Sequence, residues 1–223
     1  MIRKFILFST FLLLKPSLIL SKSLIKEPIP STNSIKIFPE NKTDHLYKKA
    51  AKEFRKTLKE NPQSVVLLPT GSTPLPFYKE ILILFKKDPS LDLSEAIFFN
   101  LDEYSGLEDN HPLSYQYYMK VNFYDPLIKI DPKRSPKREN CFIPQNKTGI
   151  INQEIIKQYE KSLENAISKN PKRTIDLAIL GIGGTYPQKQ ADGSYLLKGG
   201  HIAFNEPGTT KDQGAHLVSL TEK

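Results

Sequence analysis

Ser64-Val65-Val66-Leu67-Leu68-Pro69-Thr70-Gly71-Ser72-Thr73-Pro74-Leu75 decides how this chain folds. Ser64 to Leu68 is a short apolar, β-branched run of the length and character of a buried strand. Pro69 to Pro74, with its glycine and two prolines, interrupts that run before a helix predicted from Leu75 to about Phe85. Strand, tight turn and helix in immediate succession form the repeating unit of an α/β fold.

The same alternation recurs on either side. Upstream, Thr43 or Asp44 caps a helix to about Glu60, with Leu46, Ala50, Phe54 and Leu58 on one face and most lysines opposite. Downstream, a strand-like run from Ala96 to Phe99 ends in Asn100-Leu101-Asp102-Glu103, and after Tyr104 a loop leads to a helical stretch from about Leu113 to Phe123. Ile151, Ile155, Tyr159, Leu163 and Ile167 mark an amphipathic helix, and the strand Ile175 to Leu180 then runs into Gly181-Ile182-Gly183-Gly184. The pattern predicts a doubly wound, mainly parallel, Rossmann-like sheet flanked by helices. Ligands of such sheets lie outside the carboxyl ends of the strands. Three predicted strands end in polar or glycine-rich segments, at Thr70 to Thr73, Asn100 to Glu103 and Gly181 to Gly184, and these are expected to line one crevice.

At 223 residues, 39% hydrophobic and 25% charged, the chain has the composition of a globular protein with a full core. Its net charge of +8 invites a nucleic-acid reading. The lysines are spread along helix-like segments without aromatic interleaving, which argues against that partner and is compatible with a small anionic ligand. Cys141 stands alone, so no intrachain disulfide is available, and His45, His111, His201 and His216 do not cluster at metal-ligand spacing, so neither a metal nor a cofactor is expected. Residues 1–21 read as a secretory signal peptide: Arg3 and Lys4 precede an apolar stretch, and Ser21-Lys22-Ser23 supplies small residues for cleavage. Lys15-Pro16 breaks that stretch, which speaks against a membrane span. Residues 22–34 read as a linker and 35–223 as the functional domain.

Thr70-Gly71-Ser72-Thr73 offers backbone amides, hydroxyls and the positive end of a helix dipole, a combination that suits a phosphate monoester; a plain βα turn is the alternative. Asp102 and Glu103 follow a buried strand, where one carboxylate can abstract a proton from a carbon beside a carbonyl; a helix N-cap or a surface acidic pair is the alternative. Gly200-His201-Ile202-Ala203-Phe204-Asn205-Glu206-Pro207 places an imidazole and a carboxylate on one loop with an apolar segment between them.

Taken together, Pro69 to Pro74, Asn100-Leu101-Asp102-Glu103-Tyr104, His111-Pro112-Leu113-Ser114-Tyr115 and Gly200 to Pro207 resemble glucosamine-6-phosphate deaminase in order and rough spacing, over residues 35 to 222. The resemblance implies conversion of glucosamine 6-phosphate and water to fructose 6-phosphate and ammonia, without a cofactor. It implies Asp102 as the base moving a proton between C2 and C1, His201 in ring opening with Glu206 beside it, and Thr70, Gly71, Ser72 and Thr73 on the phosphate. It also implies a cytoplasmic setting, at odds with the secretory or periplasmic one suggested by residues 1–21.

Two departures stand out. The family has aspartate two residues before the histidine, where this chain has Gly199, and Thr185 to Lys198 is an extra segment; Asp192 folding back toward His201 is one way to replace the carboxylate. The family also continues with a further strand-and-helix portion and basic phosphate ligands, whereas this sequence stops at Lys223. A fragment of a longer product, an impaired enzyme, and a homo-oligomer completed by a second copy are the readings this leaves. The functional rivals are a 6-phosphogluconolactonase-like hydrolase, against which Asn205-Glu206-Pro207 speaks, and a non-catalytic sugar-phosphate binding protein.

Overall fold

Val65, Val66, Leu67 and Leu68 are all buried, as a strand covered on both faces requires. In a computed structural model of the protein, residues 5–8, 43–144, 148–181, 185–190, 192–199, 202–205, 210 and 213–218 are described. The linker at 22–34, and the His201 and Glu206 assigned to ring opening, lie outside them.

The elements in chain order are strand β1 (Phe5–Phe8), helix α1 (Thr43–Glu60), β2 (Val65–Leu68), α2 (Leu75–Lys87), β3 (Ile97–Asn100) and α3 (Tyr115–Met119). A π-helical turn over Lys120–Tyr124, α4 (Asp125–Ile130), β4 (Cys141–Phe142), α5 (Gln153–Lys169) and β5 (Leu177–Gly181) come next, and then β6 (Thr185–Lys189) and β7 (Tyr195–Gly199). The first five strands form one parallel sheet in the order β1-β5-β2-β3-β4, and β6 and β7 form a separate antiparallel hairpin. β1, from the segment read as a signal peptide, pairs with β5 from Phe5↔Ala178 to Phe8↔Gly181. Among the described residues no helix is long and apolar enough to cross a membrane.

Strand side chains alternate between two cores. Val66, Leu68, Phe98, Leu177 and Ile179 pack with Phe54, Phe77, Tyr78, Phe85 and Phe123 of α1, α2 and the π turn. Val65, Leu67, Phe99 and Ala178 pack with Ala166, Tyr159, Leu163 and Ile167 of α5 on the other face. The chain steps outward from β2 through β3 to β4 under α2, α3 and α4, and α5 then carries it back across the opposite face to β5. That reversal makes the boundary between β2 and β5 the switch point at which ligands of such sheets bind.

The helix expected from Leu113 to Phe123 begins two residues later and is not one helix. Pro126, in the first turn of α4, has no N–H to donate four residues back and its ring crowds the carbonyl there. The preceding turn widens instead, with the Asp125 amide bonding the Lys120 carbonyl five residues earlier.

At the opposite end of the sheet a buried carboxylate fastens the two central strands. Asp176 Oδ2 accepts from Val65 N at 3.1 Å, Asn61 Nδ2 at 3.3 Å and Asn170 Nδ2 at 2.5 Å, and Oδ1 faces Lys172 Nζ at 3.6 Å. Asp176→Ala strands these donors in a site that is 2% exposed, and urea unfolding at neutral pH is expected to show a loss of about 2–4 kcal/mol.

Candidate active site

Leu68 pairs with Asn100 and Leu67 with Ala178, so the same register carried two or three residues further sets Thr70 level with Asp102 and with Gly181. The Thr70 hydroxyl does reach the Asp102 carboxylate, donating to Oδ1 at 3.3 Å. Two of the residues picked from sequence are thus in contact across 32 positions of chain.

The turn after β2 is held by its carbonyls. Tyr78 of α2 donates its hydroxyl to Pro69 O at 2.5 Å, and Tyr118 of α3 donates to Gly71 O at 2.6 Å. From the other face, Tyr159 of α5 donates to Asn100 O at 2.6 Å. Burial raises the pKa of all three tyrosines, which keeps them protonated as donors. Gly71 has φ +95, a conformation that favours glycine. No described residue accepts from the amides of Gly71, Ser72 or Thr73, and α2 has no side-chain cap and no acidic residue in its first turn. Ser72 and Thr73 are exposed. Open amides, accessible hydroxyls and the N-terminus of a 13-residue helix make this turn a good receptor for an oxyanion.

The adjacent carboxylates differ in surroundings. Glu103, 7% exposed, accepts on Oε1 from Tyr104 N and Tyr115 N and on Oε2 from Gln116 N, each at 2.8 Å. It takes the first two amides of α3, a helix-terminus role of the kind the pair allowed as an alternative. Its pKa is raised by burial, against the opposing pull of those amides. Asp102 has only the Thr70 hydroxyl, and burial pushes its pKa up to about 7, with the Glu103 charge adding to the rise. A carboxyl half-ionised near neutrality can both take and return a proton.

His201 and Glu206 are outside the described residues, but the turn between them, Ile202 to Asn205, is inside. Ile202 N donates to Asn205 O at 3.3 Å and Asn205 N to Ile202 O at 3.0 Å, with Ala203 at φ 52. Phe204 packs on Tyr104 at 4.9 Å and on Tyr115 at 5.7 Å between ring centroids. The Ile202–Asn205 turn is therefore docked on the tyrosine pair that follows Asp102. Nothing in the sequence singled out Tyr115, Tyr118 or Phe204 as side chains that bind these segments together; the tyrosine-rich run Tyr115-Gln116-Tyr117-Tyr118 was the available signal.

Asp192 does not fold back. It lies at the tip of the β6–β7 hairpin, exposed, with Oδ1 accepting from Ser194 N at 2.9 Å and Ser194 Oγ at 2.6 Å, and those bonds lower its pKa. The two strands behind it, five residues each, hold it away from Gly199 at the hairpin's base. The extra segment is thus a self-contained hairpin whose turn uses this carboxylate. Among the described residues no group of three metal-ligating side chains is present.

A parallel sheet covered by helices on both faces, with a glycine turn and a carboxyl in contact at its carboxyl edge, places the chain among the doubly wound α/β proteins, whose ligands bind at that edge. Residues 39–185 match the model of the glucosamine-6-phosphate isomerases/6-phosphogluconolactonase family, and the chain belongs to that family. A glucosamine-6-phosphate deaminase of Thermoanaerobacter sp. strain X514 is 38% identical over 180 residues, 81% of this chain and 60% of that protein. A solved monomeric glucosamine-6-phosphate deaminase superposes with a TM-score of 0.62 at 30% identity, over 81% of this chain and 63% of its own. A 6-phosphogluconolactonase from Plasmodium vivax superposes with a TM-score of 0.52 at 25% identity, over 78% of this chain and 53% of its own. The chain spans about 60% of the length of the curated relative it matches.

The raised pKa of Asp102 fixes the sign of its effect on stability. The folded state holds a proton there between the ordinary carboxyl pKa of 3.8 and about 7, so stability falls as pH rises through that window and the cost is complete above it. Asp102→Asn is expected to gain stability over wild type progressively from about pH 4 to about pH 8, read from urea midpoints across the range; a constant difference would mean the carboxyl is not destabilised.

Proposed function

We propose that the chain carries the chemistry of a glucosamine-6-phosphate deaminase. The observation that supports this best is the contact of Asp102 with Thr70, which sets a carboxyl of near-neutral pKa at the edge of an oxyanion-receiving turn. In this reading Thr70, Gly71, Ser72 and Thr73 hold the phosphate of glucosamine 6-phosphate through amides and hydroxyls. His201, paired with Glu206, assists opening of the sugar ring. Asp102 then takes the proton from C2 and delivers it to C1, and hydrolysis of the resulting imine releases ammonia and leaves fructose 6-phosphate. The docked Phe204 turn supports placing the histidine loop beside Asp102.

Gly199, standing where the family has aspartate, favours a second reading: a protein that binds the sugar phosphate and turns it over weakly or not at all. Ammonia release from glucosamine 6-phosphate and equilibrium binding of the same ligand separate the two. Release with turnover supports the deaminase; binding without release supports the binding protein; hydrolysis of 6-phosphogluconolactone without ammonia release would overturn both.

For an active protein, kcat/KM is expected to rise with pH through a midpoint near 7 as Asp102 loses its proton. Asp102→Asn is expected to lower kcat by about 10²–10⁴-fold while binding of the substrate persists. Steady-state ammonia assays from about pH 5.5 to about pH 8.5 read both.

A further inference from the structure

Glu103 is consumed by backbone amides, and what those amides belong to gives it a role beyond capping. One is its own successor, Tyr104; the other two, Tyr115 and Gln116, begin α3. Ser114 already caps that helix by accepting from Tyr117 N at 3.0 Å, so Glu103 takes the two amides that the cap leaves. The carboxylate thereby stitches the loop leaving β3 to the start of α3.

The rings on those fixed amides do the rest. Tyr104 and Tyr115 lie 4.9 Å apart between centroids, and their hydroxyls are bonded at 3.2 Å. Phe204 rests on this pair, and Phe204 belongs to the turn that has His201 just before it and Glu206 just after it.

We propose that Glu103 is the positioning residue of the site: one buried carboxylate sets the strand end bearing Asp102 and builds the aromatic platform on which the histidine loop docks. Its activity arm rests on the deaminase reading above; its docking arm does not. The phosphate turn is held by Tyr78 of α2 as well as by Tyr118 of α3, so it keeps a tie that does not run through the helix Glu103 anchors. Loss of Glu103 therefore acts on the reacting groups more than on substrate capture.

The chain has no tryptophan, so Phe204→Trp introduces a single indole at the dock. Glu103→Gln keeps the volume, removes the charge and turns an NH2 group or a single oxygen toward three amide donors. In the full chain carrying Phe204→Trp, adding Glu103→Gln is expected to red-shift the emission and raise acrylamide quenching about two-fold or more as the platform loosens. In the otherwise native chain, Glu103→Gln is expected to lower kcat about 10–100-fold with KM changed less than about 3-fold, the signature of misplaced reacting groups. Unchanged emission and quenching would overturn the proposal, as would full kcat in an active protein. If wild type releases no ammonia, the functional reading fails and the fluorescence comparison alone decides the role of Glu103. If Glu103→Gln unfolds, Glu103→Asp, which keeps the charge and shortens the reach, is read by the same two measurements.

Discussion

Parallel pairing of β2 with both β3 and β5 is the constraint on which the rest of the molecule depends. Because the three strands run the same way, the segments after them emerge at one edge, and the register sets Thr70, Asp102 and Gly181 in line there. Antiparallel pairing of either neighbour would send its polar terminus to the opposite end of the sheet, a full strand length away. The helices then decide the details. Tyr78, Tyr118 and Tyr159 reach from three helices on two faces to the carbonyls at this edge, so main-chain acceptors that emerge from the sheet without partners are satisfied by hydroxyls of the layers covering it. The core and the site are built by the same side chains, each tyrosine burying its ring and spending its hydroxyl at the rim.

Asp176 and Glu103 are buried and Asp102 is half-buried, and the donors each one finds separate their roles. Asp176 has three nitrogen donors and a lysine, and it joins the turn after α1 to the turn after α5. Glu103 has three backbone amides and joins a loop to a helix. Asp102 has one hydroxyl, at 3.3 Å, and nothing else that offsets its desolvation. A carboxylate held by three nitrogen donors is a structural part; one left with a single hydroxyl keeps its proton to near neutrality and is available for chemistry. Neighbours in sequence, Asp102 and Glu103 fall on opposite sides of that line.

Much of the architecture was legible because its signals are local. The fourfold spacing of Ala50, Phe54 and Leu58 marked α1, and the apolar runs before Thr70 and Asn100 marked β2 and β3. β4 has two residues, Cys141 and Phe142, too few for any periodicity, and it exists because β3 offers it an edge. The strands of the hairpin read Thr-Tyr-Pro-Gln-Lys and Tyr-Leu-Leu-Lys-Gly, without alternation and with a proline that marks an edge, so only their mutual pairing reveals them. The site was legible as residue types and not as partners. The sequence offered two adjacent acids as equals, and only the placement of α3, twelve residues on, shows that its amides claim Glu103 and leave Asp102. Nor does any pattern announce that Phe204 meets Tyr104 and Tyr115, since that contact joins segments about a hundred residues apart.

The pairing of the extra segment decides what it does to the histidine loop. Thr185 is opposite Gly199 and Lys189 is opposite Tyr195, so the chain enters and leaves the hairpin within the spacing of one antiparallel pair, about 5 Å. An excursion that closes on itself does not displace the residues beyond its base. The Ile202–Asn205 turn can then dock on the tyrosine pair as though the hairpin were not there. Gly199 itself closes the hairpin as the partner of Thr185, and the Ile202–Asn205 turn that follows is seated on Tyr104 and Tyr115.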